Sequence, residues 1–277
     1  MGKFTQMLMT SGGLLVGGAL VWVLVGYAVQ GGGQGQGKPP GRLRPRGPSR
    51  GWLIPEKQQQ VVENDQALAD IVRWGGQIQR DPADPEGPVV YVGLQGIQDI
   101  DAALDQVKKG LPRLRRLCLS HTPVSDASLA RLEGWTGLQM LDLSHTTISD
   151  AGLEHLKGLT SLQSLHLYVT KVTGPGLAHL KGLVNLRELS LFNTEVNDAG
   201  LANLQGLTQL RTLYLGDTRV TDAGLAHLRG LKSLRTLGLR NTAVSEQAAE
   251  ELRKQIPDLD VLRGPLISGF PLPGGRR

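Results

Sequence analysis

A leucine recurs every 24 residues from 113 onward, and this period constrains the fold more than any other feature of the chain. One column is Leu114, Leu138, Leu162, Leu186, Leu210 and Leu234. A second is Leu117, Leu141, Leu165, Leu189, Leu213 and Leu237, and a third is Leu119, Leu143, Leu167, Leu191, Leu215 and Leu239. Threonine follows at 122, 146, 170, 194, 218 and 242, with a β-branched residue two positions later each time. Six units run to about Ile256 without an insertion. A fixed short period means that each unit contacts mainly its neighbours, so the units fold as a stack rather than one by one.

Within a unit the pattern changes period. Leu117 and Leu119 alternate with polar residues, as a half-buried strand requires. The stretch TDAGLAHL at 221–228 reads as a short helix. Thr221 is a good N-cap, and Asp222 places negative charge at the positive helix end. Leu225 and Leu228 share one face, and Gly230 is expected to stop the helix. The motif is repeated as SDAGLEHL at 149–156 and NDAGLANL at 197–204, but the third unit has TGPGL at 173–177 and a looser helix start is expected there. Trp135 replaces the leucine of Leu159, Leu183, Leu207 and Leu231 and is expected to fill the end of the core. The sixth unit has Ala249 in the Leu225 column and Lys254 in the glycine column, as a terminal unit would.

The LxxLxLxxT pattern resembles the leucine-rich repeat family, with Thr where the usual motif has Asn or Cys. The similarity is closest to the bacterial subtype carrying TDAGLxxLxGL. It covers 113–256, and more loosely 56–112 and 257–263. The resemblance implies an α/β fold: a right-handed solenoid with parallel strands on its concave face and short helices on its convex face. It also implies a binding role.

The flanks have different compositions. No charged residue lies between Lys3 and Lys38, and residues 7–29 are long and apolar enough for a transmembrane helix. The alternative is a signal peptide cut after Ala28. The domain plan is therefore an anchor or signal peptide at 1–30, a flexible basic Gly/Pro linker at 31–53, a capping helix and strand at 54–112, six repeats at 113–256, and a C-terminal cap with a disordered tail at 257–277. The capping helix is expected over 54–76 and its strand over 88–94. Single-pass membrane localisation follows from the anchor. The flanking charges and the signal-like start give opposite orientations for the repeats.

Formal net charge is +5. Between Val89 and Leu262, however, eighteen Lys/Arg balance eighteen Asp/Glu. The excess lies in the flanks, where Lys38, Arg42, Arg44, Arg46 and Arg50 occur without an acid. This distribution favours a membrane surface over nucleic acid. A lone cysteine, Cys118, excludes an internal disulfide. Its strand position predicts an exposed thiol.

Functional residues are expected in the columns between the strand leucines, which face away from the core. One holds Cys118, Asp142, His166, Ser190, Tyr214 and Gly238, and another holds Ser120, Ser144, Tyr168, Phe192, Gly216 and Arg240. Neighbouring parallel strands lie ~4.8 Å apart, which puts Tyr168 beside Phe192 with His166 and Tyr214 near them. Aromatic anchors typify binding hot spots. The candidate partner-binding residues are His166, Tyr168, Phe192, Tyr214, Asp142 and Arg240. His121 and His145 share a further column, beside Asp142 and Ser144, without the third ligand or oriented base that a metal or catalytic site needs. Arg187, Arg211 and Arg235 form a basic stripe near the strand edge. No catalytic residue, metal or cofactor is assigned. The expected function is a membrane-tethered, non-catalytic scaffold presenting its concave surface to a protein or surface polymer, its partner unidentified. The alternative is an assembly protein that packs into a membrane-associated complex, with self-association through its repeats.

Overall fold

The computed structural model describes residues 66–84 and 87–263. The expected anchor at 7–29, the linker at 31–53, most of the expected helix at 54–76 and the tail beyond 263 lie outside the described residues. Among the described residues, no helix is long and apolar enough to cross a membrane.

A nine-stranded sheet runs in sequence order. Strand β1 (Gln77–Arg80) pairs antiparallel with β2 (Val89–Gly93). All later pairs are parallel: β3 (Arg116–Cys118), β4 (Met140–Asp142), β5 (Ser164–His166), β6 (Glu188–Ser190), β7 (Thr212–Tyr214), β8 (Thr236–Gly238) and β9 (Asp260–Leu262). Register follows the period. Leu117, Leu141, Leu165, Leu189, Leu213 and Leu237 pair in a row, and Val261 extends it. All three leucine columns are buried. Burial at about 25 cal/mol per Å² of apolar surface makes this shared core the main stabilising term.

Three residues beyond each of β3 to β8 lies a left-handed residue, at His121, His145, Val169, Asn193, Asp217 and Asn241, with φ between 51° and 56°. His, Asn and Asp tolerate this region, whereas a β-branched residue there is strained. Val169 is that exception. The next residue explains the threonine column. Each hydroxyl donates to the leucine carbonyl three residues back, at 2.6 Å for Thr122, Thr146 and Thr194, and so satisfies a carbonyl inside the turn.

The TDAGL stretch folds as expected at its start. Thr221 caps the helix Asp222–Leu225, which tightens into a 3-10 turn at Ala226–Leu228. Leu225 and Leu228 are buried. The glycine stop is a correction. Of Gly134, Gly158, Gly182, Gly206 and Gly230, only Gly134 has a positive φ, 85°. The other helices end by tightening into 3-10 turns, with Leu231 N–H donating to the Leu228 carbonyl.

Asp222 and its equivalents do more than charge a helix end. Asp150 accepts from the Thr173 backbone N–H at 2.7 Å and from its hydroxyl at 2.5 Å. Asp126 holds Ser149, Asp198 holds Thr221 and Asp222 holds Ser245 in the same way. Each carboxylate thus clasps the Ser or Thr that opens the following unit's helical segment. A Cβ on Gly152, Gly176 or Gly224 would collide with the carboxylate of Asp126, Asp150 or Asp198, so the motif's glycine makes room for its neighbour's aspartate. The third unit breaks the series. Gly174 carries no carboxylate, the helical segment Pro175–Leu180 is entirely 3-10, and a Cβ on Gly200 would lie 2.5 Å from Gly174 Cα. Two glycine backbones close that junction directly.

At the N-terminal end residues 66–73 are helical, ending before Gly75 at φ 88°. The helix Ile100–Gly110 was not expected. Asp99 caps it, and Ile100, Ala103, Leu104 and Val107 enter the core. Trp135 is half-buried against the core edge. At the other end the helix Glu246–Gln255 buries Ala249 and Leu252, and β9 adds a strand beyond the sixth unit.

Candidate functional site

The residues between the strand leucines do share one face of the sheet, but their exposure differs. Arg240 is exposed, Tyr168, Phe192 and Tyr214 are half-buried, and Asp142 and His166 are buried at 3% and 6%. The last two are engaged within the sheet. The Asp142 carboxylate accepts from the Ser144 backbone N–H at 2.9 Å and from the Cys118 thiol at 3.4 Å. His166 Nε2 lies 3.0 Å from Ser164 Oγ and 3.4 Å from Glu188 Oε1. They frame the aromatic residues rather than project past them.

Cys118 is a second correction. It is 5% exposed, not open to solvent. Gln95 donates to its sulfur at 2.8 Å, and Ser120 and Asp142 crowd it from the following residues and strand. Tyr91 and Met140 complete its apolar surroundings. Burial, helped by the Asp142 charge, pushes the thiol up to about 11, so little of the reactive thiolate forms near neutrality.

The aromatic side chains divide into two groups. Tyr168 sets its ring against the edge of His145, 5.1 Å between centroids and 88° between planes. His145 in turn stacks on His121 at 4.2 Å and 16°. The two histidines therefore extend the aromatic surface by two units. Phe192 lies over Gly216, where an added Cβ would come 2.9 Å from its Cδ2, and Tyr214 lies over Gly238 at 2.8 Å from its Cδ1. Gly216 and Gly238 act as the flat floor on which these rings rest. The backbones of Tyr168 and Phe192 are neighbours as expected, since the Val169 N–H donates to the Phe192 carbonyl.

Charge around the rings is negative. Burial and Asp142 raise the Tyr168 phenol, and burial and Glu188 raise that of Tyr214. Both remain neutral hydrogen-bonding groups at pH 7. The hydrogen bond from His166 holds Glu188 below its usual range against the opposing effect of burial. Burial and His121 lower His145, while Asp142 opposes them. Ser164, His166 and Glu188 are the chemistry of a catalytic relay in the wrong arrangement. A relay needs the acid on one ring nitrogen and the nucleophile on the other. Here carboxylate and hydroxyl crowd the same Nε2. Among the described residues no group of three His, Cys, Asp or Glu side chains has metal-binding geometry.

Parallel three-residue strands at a 24-residue register, each returning through a short helical segment, decide the architecture. The architecture is similar to that of leucine-rich-repeat proteins. A leucine-rich-repeat family model matches residues 138–157. Comparison with curated proteins gives no match. Solved structures with a similar fold include an internalin C2 of Listeria monocytogenes, 24% identical with a TM-score of 0.48, over 64% of this chain and 81% of that one. Another internalin of the same organism is 20% identical with a TM-score of 0.47, over 65% of this chain and 54% of that one. A leucine-rich-repeat protein of Leptospira interrogans is 25% identical with a TM-score of 0.45, over 56% of this chain and 38% of that one. The chain thus spans less than two thirds of the latter two.

Proposed function

We propose that this leucine-rich-repeat protein is a membrane-tethered, non-catalytic scaffold whose concave face binds a protein partner. The observation that carries the reading is the half-buried aromatic run. Tyr168, Phe192 and Tyr214 occupy outward columns whose other units carry small or polar residues, and two glycines leave the rings of Phe192 and Tyr214 room to lie flat. Flat, partly ordered rings lose little entropy on binding and bury large apolar area. Arg240 lies at the rim, and the buried Asp142 and His166 frame the rings. The tether rests on the uncharged, apolar composition of residues 7–29.

Two measurements test it. The full chain is used to capture binding partners, beside a Tyr168→Ala, Phe192→Ala, Tyr214→Ala variant. A specific partner should be lost by the variant while its circular dichroism and melting stay close to those of the parent. Retention of every partner would sink the aromatic surface. For the tether, the chain should stay in the membrane pellet after alkaline carbonate extraction, and release into the supernatant would refute it.

A further inference from the structure

The even balance of charge across the repeats hides a separation. Strand and helical segment run in opposite directions across each unit, so a helix end and the next strand start lie on one edge. The clasping aspartates lie on the other. In three consecutive units, residues 176–187, 200–211 and 224–235, the first edge contains Lys181, Arg187, Arg211, Arg229, Lys232 and Arg235 and no Asp or Glu. All six are exposed. Backbone ladders connect Arg187 to Arg211 and Arg211 to Arg235, which sets these three about 4.8 Å apart from strand to strand.

Earlier units pair part of the same edge, although Arg113 and Arg115 form no ion pair among the described residues. Arg131 pairs with Asp101 and Asp105, His155 with Glu133, and Lys157 with Glu154. At the C-terminal end Arg253 pairs with Glu246 and Glu250. Among the described residues no carboxylate pairs with any of the six. Lys232 and Arg235 donate only to backbone carbonyls, and Glu188, next to Arg187 in sequence, is turned to His166 and Ser164. Uncompensated like charges at this spacing repel one another, and an external anionic surface would relieve that repulsion.

We infer that this basic edge seats on anionic lipid headgroups and holds the array edge-on to the bilayer, leaving the concave face open. The inference rests on the tether proposed above. The linker at 31–53, with its Lys38, Arg42, Arg44, Arg46 and Arg50, has no acid. Each basic side chain close to such a surface strengthens attachment by roughly fivefold.

The test is lysine footprinting of the full chain in nanodiscs of phosphatidylcholine alone or with phosphatidylglycerol. Acylation of Lys181 and Lys232 should slow severalfold in the anionic discs, whereas Lys171, on the opposite edge, should not change. Salt at 0.5 M should abolish the protection. An Arg187→Gln, Arg211→Gln variant leaves the carbonyl bonds of Arg235 intact and should lose most of it. Equal labelling of Lys181 and Lys232 in both kinds of disc, or protection that survives salt, overturns the inference. A chain that does not co-elute with discs refutes the tether separately. The edge is then read from vesicle sedimentation, in which binding to anionic but not neutral vesicles should fall about 25-fold in the double variant. Equal sedimentation with both vesicles overturns it.

Discussion

The two sides of the array obey different rules. On the helical side one motif recurs, because an Asp reaches the Ser or Thr that opens the next helical segment and a Gly admits the Asp before it, with Gly174 as the break in the series. On the outward face of the sheet every unit differs, because those side chains lie outside the leucine core. Repetition therefore marks where neighbouring units touch, and its absence marks where the surface is free to be specialised.

Removing core from one side and polar groups from the other should expose this contrast most strongly. Leu189→Ala empties a fully buried site in β6 and should cost about 3–4 kcal/mol in denaturant unfolding. Ser190→Ala, one residue on, removes a buried hydroxyl that has no partner among the described residues and should change stability by less than about 0.5 kcal/mol. Equal costs would erase the distinction between the two sides. Next in size is the clasp. Asp150→Ala loses both bonds to Thr173 and should destabilise by about 2 kcal/mol.

A smaller change should go the other way. Val169→Asn relieves a β-branched residue at φ 55° and should stabilise by about 1 kcal/mol in the same measurement. The smallest effect concerns pH. His145 has its folded pKa lowered by burial and by His121, so its contribution is fully present above the ordinary value near 6.5 and is lost as pH falls below it. Stability measured from pH 7.5 to 5 should decline less steeply in His145→Asn. An unchanged slope would mean that the His121–His145 stack does not resist protonation.

Much of this was legible in the sequence because the period is unbroken. The leucine columns, the strand register and the N-cap at Thr221 follow from residue spacing alone. The clasp was hidden, since Asp150 and Thr173 are 23 residues apart and meet only once stacking is known. The helix at Ile100–Gly110 carried its own signal, Asp99 followed by apolar residues at 100, 103, 104 and 107, but in a segment without the 24-residue spacing. Outward position did not translate into exposure for Cys118, Asp142 and His166. On a sheet the larger neighbours, such as Tyr91 and Gln95, decide what solvent reaches. The ring directions of Phe192 and Tyr214 depend on Gly216 and Gly238 one unit later, a pairing that single-column reading does not show.

The clasp has a consequence for how such a chain can grow. Its giver and receiver sit 23 residues apart, one position short of the unit length, so a tandem copy of a 24-residue segment that carries the Asp inherits both halves in phase. Shorter or longer duplications would leave a carboxylate facing a backbone with no cap to hold. The clasp would favour internal copies of constant length while the outward residues of the sheet drifted apart, and the Gly174 junction keeps that length without it.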